Sequence, residues 1–137
     1  MTQQILVPLD ASPQSWDAFE YALEEYPEAT ITALHVISPT DSLLRGDVFG
    51  GETKRSVQTA ENILTQAQDI ATAFQAEVST VTEQGKPADV IVTYAEENDI
   101  DHIVIGSHGR SGVSRILLGS VAEKVVRRSP VPVTIIR

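Results

Sequence analysis

The chain has 137 residues, 42% of them hydrophobic, which is enough for one domain with an ordinary apolar core. It contains no cysteine, so disulfide frameworks, cysteine–zinc sites and thiol catalysis are excluded. The formal net charge of −9 repels the phosphates of nucleic acids and anionic membranes, so neither is expected as a partner.

The acidic balance leaves two interpretations of the source open. The basic residues are three lysines and seven arginines, which fits either an ordinary acidic domain or a halophilic protein that stays hydrated at high salt.

No basic segment precedes the first apolar run, and no apolar run reaches the roughly 18 residues of a membrane span. We therefore expect no signal peptide and no membrane span, and a cytoplasmic protein.

Strand and helix patterns alternate along the chain. The predicted strands are residues 5–9, 31–37, 77–82, 102–106 and 131–136. The predicted helices cover residues 13–26, 53–74, 88–95 and 120–128, and the first starts at Ser12-Pro13, a capping serine followed by proline at the first helical position. Residues 38–51, which contain three glycines and a proline, are predicted to form a loop long enough to have a function.

Helical spacing of apolar residues predicts which face of each helix is buried. The predicted inward positions are Trp16, Phe19, Leu23 and Tyr26 in the first helix, Val57, Ala60, Leu64, Ala67, Ala71 and Phe74 in the second, and Ala88, Ile91, Tyr94 and Ala95 in the third.

The alternation of strands and helices predicts an α/β fold, a parallel sheet with helices on both faces. Ligands of such open sheets bind beyond the carboxyl ends of the strands, where the strand order reverses. Asp10 and Gly106 would line one crevice if the first and fourth strands are neighbours, which the pattern leaves open.

The glycine-rich segment 106–120 joins the fourth strand to the fourth helix. Glycines allow a close backbone approach to a ligand, and a helix N-terminus offers amides to an anion, so the segment is typical of a phosphate-binding loop. It is not a Walker A loop, because no Gly-Lys-Ser/Thr follows Gly112, and the chain contains no Gly-x-Gly-x-x-Gly.

The spacing of Gly106, Gly109, Gly119 and Ser120 resembles the Gly-x2-Gly-x9-Gly-Ser/Thr motif of nucleotide-binding universal stress proteins. The resemblance continues through residues 121–136, and residues 5–12 are similar to the first strand and Asp-x-Ser turn of that family. It implies one domain over residues 1–137, with a five-stranded sheet in the order 3-2-1-4-5. Such a fold is Rossmann-like and similar to that of the adenine nucleotide alpha hydrolases.

The resemblance also implies a ligand, ATP alone or with Mg²⁺, and the residues that hold it. The implied contacts are Pro8, Leu9, Asp10 and Ser12 after the first strand, Val36 at the end of the second, and Gly106, His108, Gly109, Arg110, Gly119, Ser120 and Val121 in and beside the glycine segment. Amides at the start of the fourth helix would hold phosphates. Asp10 would hold the nucleoside and help to place a metal, and Val36 would read the adenine edge through its backbone.

Each of these roles has a structural alternative. Ser120 could cap its helix, because Ser120-Val-Ala-Glu123 is a capping box, and Asp10 could serve only a turn. Val36 could be a buried strand valine. Arg110 and Arg115 could neutralise phosphate, lie in solvent or contact a partner subunit, and His108 could hydrogen-bond to phosphate or locally. The family often has glycine at the position of Ala11, whose methyl group is expected to crowd a ligand without closing the site.

Catalysis and a protein metal site have less support. The chain has no Gly-x-Ser-x-Gly and no phosphate-loop lysine, and His35 and His102 have no partner at metal-ligand spacing. We therefore expect a non-enzymatic, stress-responsive nucleotide-dependent switch or adaptor, with at most slow ATP hydrolysis and an unidentified protein partner. The alternatives are an interaction module of the same fold that binds no nucleotide, and a weak ATPase or nucleotide-activating enzyme.

The last predicted strand, residues 131–136, indicates a homodimer. Pro132 cannot donate a ladder hydrogen bond, which favours a sheet edge, yet its neighbours are strongly apolar. Pairing with the same strand of a second copy would cover this edge, as in proteins of the resembled family. The alternative is a helix or loop that covers it.

Overall fold

The computed structural model describes residues 2–38, 54–107 and 118–137. The strands are β1 (Gln4–Pro8), β2 (Thr30–Ile37), β3 (Val78–Gln84), β4 (His102–Gly106) and β5 (Val133–Ile136). The helices are α1 (Pro13–Glu25), α2 (Lys54–Ala73), α3 (Pro87–Glu97) and α4 (Ser120–Arg128). The predicted order of elements is confirmed, whereas residues 39–51 of the predicted loop lie outside the described residues.

The five strands form one sheet in the order β3-β2-β1-β4-β5, and each neighbouring pair is parallel. This order confirms the expected fold class. It also answers the question that the sequence pattern left open, because β1 pairs directly with β4 through Ile5 with His102 and Leu6 with Ile103. The strand order reverses between these two strands, so their carboxyl ends form the ligand-binding edge of this fold type.

The sheet divides the core into two layers. On one face, α1 and α2 cover Ile5 and Val7 of β1, with Phe19 of α1 fully buried. On the other face, α3 and α4 cover Leu6 of β1 and Leu34 of β2. Alternate residues of a strand point to opposite faces, and β1 is central, so its apolar residues are buried on both sides.

Helix α1 begins where the sequence predicts. The hydroxyl oxygen of Ser12 accepts a hydrogen bond from the amide of Ser15 at 3.2 Å, and Pro13 occupies the first helical position. Phe19 and Leu23 are buried, while Trp16 and Tyr26 pack partly buried at the rim of the same cluster. The predicted inward face of this helix is confirmed.

Two inward faces differ in detail from the prediction. In α2, Ile63 is buried and Leu64 only half-buried, so the buried stripe turns slightly from the predicted one. In α3, Val92 is buried and Tyr94 is half-buried. Both helices carry more apolar residues than one face can bury, and contacts with the sheet and neighbouring helices decide which ones point inward.

The last strand is shorter than the predicted segment 131–136, because it begins at Val133. Pro132 lies just before it, and its carbonyl oxygen accepts a hydrogen bond from the amide of Ile103 at 3.0 Å. The predicted position at a sheet edge is confirmed. None of the helices within residues 2–38, 54–107 and 118–137 combines the length and the apolar character needed to cross a membrane.

Candidate functional site

The turn after β1 presents Asp10 at the carboxyl edge of the sheet. One carboxylate oxygen of Asp10 accepts a hydrogen bond from the amide of Ser12 at 2.9 Å, and the residue is half-buried. The carboxylate therefore shapes the turn while part of it still faces solvent. Ser12 is only 2% exposed and its hydroxyl caps α1, so this predicted contact residue supports the turn from beneath.

Pro8 and Leu9, two further predicted contact residues, have buried side chains. The amide of Leu9 donates to the carbonyl oxygen of Leu34 at 2.8 Å, and the carbonyl oxygen of Leu9 lies 2.8 Å from Nδ1 of His35. Proline has no amide hydrogen to offer. Both residues therefore hold the turn against β2, and among the predicted contact residues of this segment it is Asp10 whose side chain is partly open to solvent.

Ala11 adopts a left-handed backbone conformation with φ of 70°. This conformation costs a residue with a Cβ roughly 1–2 kcal/mol, and glycine adopts it freely. The sharp turn between β1 and α1 thus explains physically why glycine suits this position.

We expect Ala11→Gly to stabilise the protein by about 0.5–1 kcal/mol, because relief of the left-handed conformation exceeds the extra unfolded-chain entropy of glycine. The matched control is Ala73→Gly at the exposed last turn of α2, which should destabilise the protein by about 0.5–1 kcal/mol. Urea denaturation of the three proteins measures both changes. A loss of stability in both variants would contradict this account of the turn.

Val36 lies where β2 extends beyond β1. The β1–β2 register ends at Pro8 with Leu34, and the carbonyl oxygen of Leu34 points toward β1, where it accepts from Leu9. Residues two apart in a strand direct their backbone groups to the same side, so the amide and carbonyl of Val36 also point toward β1, past its end. Within the described residues no strand pairs with Val36 on that side.

The ends of the glycine segment are held together by backbone hydrogen bonds. The amide of Ser107 donates to the carbonyl oxygen of Ile136 at 2.8 Å, and the amide of Gly119 donates to the carbonyl oxygen of Ser107 at 2.7 Å. These bonds fix the start of α4 beside the carboxyl end of β4. His108, Gly109 and Arg110, together with Arg115, lie outside the described residues.

The N-terminus of α4 differs from a capping box. Gly119 is the N-cap, the amide of Glu123 donates to its carbonyl oxygen, and Ser120 is the first helical residue with an exposed side chain. The alternative role of Ser120 as the cap is therefore wrong. Gly119 has already committed its own amide to Ser107, so the first-turn amides without an intrahelical acceptor are those of Ser120, Val121 and Ala122.

These amides carry the positive end of the α4 dipole and suit an anion. Arg127 and Arg128 lie in the last turn of α4, at the negative end of the dipole. The guanidinium of Arg127 pairs with Glu123 at 2.8 Å, and that of Arg128 bonds to Asp89 of α3.

Gly106 has a packing role that the sequence did not reveal. A Cβ at this position would lie 2.7 Å from the carbonyl carbon of Gln14 and 2.9 Å from its carbonyl oxygen. Glycine is therefore required where the first turn of α1 crosses the end of β4. This contact holds the start of α1 beside the carboxyl end of β4, whether or not Gly106 itself contacts a ligand.

The two strand histidines have separate structural roles. His102 begins β4, at the end of the sheet opposite the crevice, and its Nε2 lies 2.7 Å from the hydroxyl of Thr134 on β5. Partial burial lowers the pKa of His102 below its usual value. His35, in contrast, binds the turn after β1 at the crevice itself. A polar residue inside a buried apolar strand was the signal for this contact.

The sequence matches the universal stress protein family over residues 1–137. It is 34% identical to universal stress protein YxiE of Bacillus subtilis, and the match covers 100% of both chains. Among solved structures, the universal stress protein UspA of Lactobacillus plantarum has a TM-score of 0.83 at 28% identity, over 98% of this chain and 97% of that one. The universal stress protein of Archaeoglobus fulgidus, solved in complex with dAMP, has a TM-score of 0.74 at 26% identity, over 100% of this chain and 98% of that one.

The fold, the β1–β4 reversal and the match along the whole length define one class of protein. The chain belongs to the universal stress protein family.

Proposed function

We propose that the chain binds an adenine nucleotide, with ATP as the ligand, in the crevice between the β1–α1 turn, the end of β2 and the start of α4. One observation carries the proposal: backbone groups of Val36 and the amides that begin α4 both lie at the carboxyl edge where the strand order reverses. The dAMP complex of the related Archaeoglobus fulgidus protein supports the choice of an adenine nucleotide.

Val36 is the proposed reader of the base. Its amide is a donor and its carbonyl an acceptor, and both point past the end of β1. On the edge formed by position 6 and N7, adenine presents an amino donor beside a ring nitrogen acceptor, whereas guanine presents two acceptors, O6 and N7. A fixed backbone donor and acceptor therefore favour adenine over guanine.

The proposed phosphate site is the first turn of α4. The amides of Ser120, Val121 and Ala122, with the exposed hydroxyl of Ser120, offer donors to phosphate oxygens. Within the described ranges no group of three or more His, Asp or Glu side chains could hold a metal ion by itself. In this proposal the phosphates hold Mg²⁺, and Asp10, the half-buried carboxylate of the β1–α1 turn, contributes a protein oxygen.

The proposed role is that of a nucleotide-dependent switch or adaptor in a stress response, with at most slow hydrolysis of ATP. Occupancy of the crevice would connect α4 to β2 and to the β1–α1 turn, which the Leu9–Leu34 and His35–Leu9 hydrogen bonds already hold together. Such a connection can bias a surface that a partner recognises without any catalytic step.

Isothermal titration calorimetry with Mg-ATP tests the proposed function. Salt screens the repulsion between ATP and a chain of net charge −9, so the titration is run at about 0.1 M and at about 2 M salt. We expect saturable binding of about one nucleotide per chain, and tighter binding of ATP than of GTP. A folded protein that binds neither nucleotide would instead support the interaction module, and rapid phosphate release would support the enzyme.

We also propose a homodimer through β5. The amide of Ile103 donates to the carbonyl oxygen of Pro132, and the amide of Ser107 donates to that of Ile136. The backbone groups of Thr134 and Ile136 in β5 therefore face β4. The backbone groups of Val133 and Ile135 consequently point away from the sheet at an open edge. Their side chains are half-buried and apolar, and a second copy of β5 would cover both the edge and these side chains.

Val133→Pro should convert such a dimer into a folded monomer, because proline removes an outward-pointing amide while it roughly conserves side-chain volume. The control, Thr134→Pro, removes an amide that faces β4 and should destabilise the fold by about 3 kcal/mol. Analytical ultracentrifugation reports the mass, and thermal melting reports the stability. A dimer that survives Val133→Pro would contradict pairing through β5.

A further inference from the structure

His35 is the one titratable residue of strand β2, Thr30–Ile37, and its side chain is buried, with only 4% exposed. Its neighbours along the strand alternate between the two faces of the sheet: Ala33 packs in the layer of α1 and α2, and Leu34 in the layer of α3 and α4. Residues two apart share a face, so His35 points into the layer that contains α1. It therefore lies under the turn that carries Asp10.

The contact of His35 with Leu9 replaces the next rung of the β1–β2 ladder. The carbonyl oxygen of Leu34 accepts from the amide of Leu9, so a continued parallel ladder would bring the amide of Val36 to the carbonyl oxygen of Leu9. Instead, Nδ1 of His35 lies 2.8 Å from that oxygen. A carbonyl oxygen only accepts, so Nδ1 carries the proton and donates.

This replacement has two consequences at the crevice. The Leu9 carbonyl is satisfied by an imidazole rather than by the backbone, so β1 ends there and the chain turns through Ala11 into α1. The amide of Val36, which would otherwise close the ladder, is left pointing toward the crevice. One side chain thus sets the spacing between the Asp10 turn and the backbone edge of Val36.

We propose that His35 is a positioning residue for recognition of the nucleobase: its Nδ1–H occupies the Leu9 carbonyl and so keeps the Val36 amide open to adenine. This inference rests on the proposed function, but its geometric part can be tested without nucleotide. Replacement of His35 by a residue without a donor frees the Leu9 oxygen, which then captures the Val36 amide.

Two variants separate the donor from the bulk of the side chain. His35→Leu keeps an apolar bulk but has no donor, whereas His35→Asn places an amide N–H at the same number of bonds from Cα as Nδ1. Hydrogen exchange of the nucleotide-free proteins follows the Val36 amide. We expect rapid exchange in the unaltered chain and in His35→Asn, and slowed exchange in His35→Leu. Slow exchange of this amide in the unaltered chain would overturn the inference.

Titration with ATP, GTP and inorganic tripolyphosphate then tests the link to the base. In His35→Leu we expect ATP affinity to fall about tenfold and the preference for ATP over GTP to shrink, while His35→Asn stays within about threefold of the unaltered chain. Tripolyphosphate affinity should be equal in all three, which shows that the fold and the phosphate site are intact. A merely structural role would not change the ratio of ATP to GTP affinity.

The outcomes separate the two proposals. If the unaltered chain binds no nucleotide, the proposed function fails and recognition by His35 fails with it, even when Val36 exchanges rapidly. If the unaltered chain binds ATP, two results overturn only the role of His35. The first is that His35→Leu keeps the ATP affinity and the preference for ATP over GTP. The second is that His35→Asn loses affinity and preference to the same extent as His35→Leu. If His35→Leu does not fold, the exchange rate of the unaltered chain and the base preference of His35→Asn decide.

Discussion

Gly106→Ala should destabilise the protein by about 2–4 kcal/mol, the largest effect on stability that we expect from a single methyl group here. The added carbon would meet backbone atoms of Gln14 at 2.7 and 2.9 Å, and neither α1 nor β4 can move away without disturbing the core beneath Phe19. The strain falls on the contact that brings the first turn of α1 to the end of β4.

Gly119→Ala is the matched control from the same glycine motif. Gly119 has φ of −64° and ψ of 161°, an extended conformation that alanine adopts without strain. The expected cost is about 0.5–1 kcal/mol, because alanine is a poorer N-cap than glycine. Denaturation in urea compares the two variants, and equal stabilities would contradict a packing role for Gly106.

Ser120→Asp should weaken ATP binding by at least about tenfold while it leaves the fold intact or more stable. An acidic side chain in the first turn of a helix interacts favourably with the helix dipole, worth about 0.3–1 kcal/mol. The same carboxylate would repel a phosphate at the amides of Ser120, Val121 and Ala122. Stability and affinity should therefore change in opposite directions.

The control for charge is Ser120→Asn, which has the shape of aspartate and no charge. We expect its ATP affinity to stay within about threefold of the unaltered chain, since the backbone amides remain available. Calorimetric titration of the three proteins gives the affinities, and thermal melting gives their stabilities. Equal ATP affinity in Ser120→Asp and Ser120→Asn would exclude a phosphate at the start of α4.

Much of the architecture could be predicted from the sequence. The bounds of β4 and α4 match the prediction, because Gly106 ends the strand and Ser129-Pro130 stops the helix. The sheet order was implied by the resemblance to universal stress proteins, and the structure confirms it. Local signals of this kind depend on a few neighbouring residues, so a single sequence is enough to read them.

The features that the sequence did not predict depend on contacts between distant segments. His35 is a polar residue in an apolar strand, which signals a buried hydrogen bond, but nothing near it identifies Leu9, 26 residues away, as the partner. Likewise, nothing near Gly106 indicates that Gln14 crosses it. The alternative role of Ser120 as the N-cap was wrong for a similar reason: the amide of Gly119 bonds to the distant Ser107 and Gly119 is the N-cap, although Ser120 has the better side chain for that role.

The central claim is that one nucleotide contacts the end of β2 and the start of α4 at the same time. Amide spectra of the ¹⁵N-labelled protein, recorded while Mg-ATP is added, test this most directly. We expect saturable shifts at Val36, Ser120, Val121 and Ala122, and unchanged signals at His102 and Thr134 on the opposite end of the sheet. A well-dispersed spectrum that does not change at either segment, or changes at only one of them, would contradict the account.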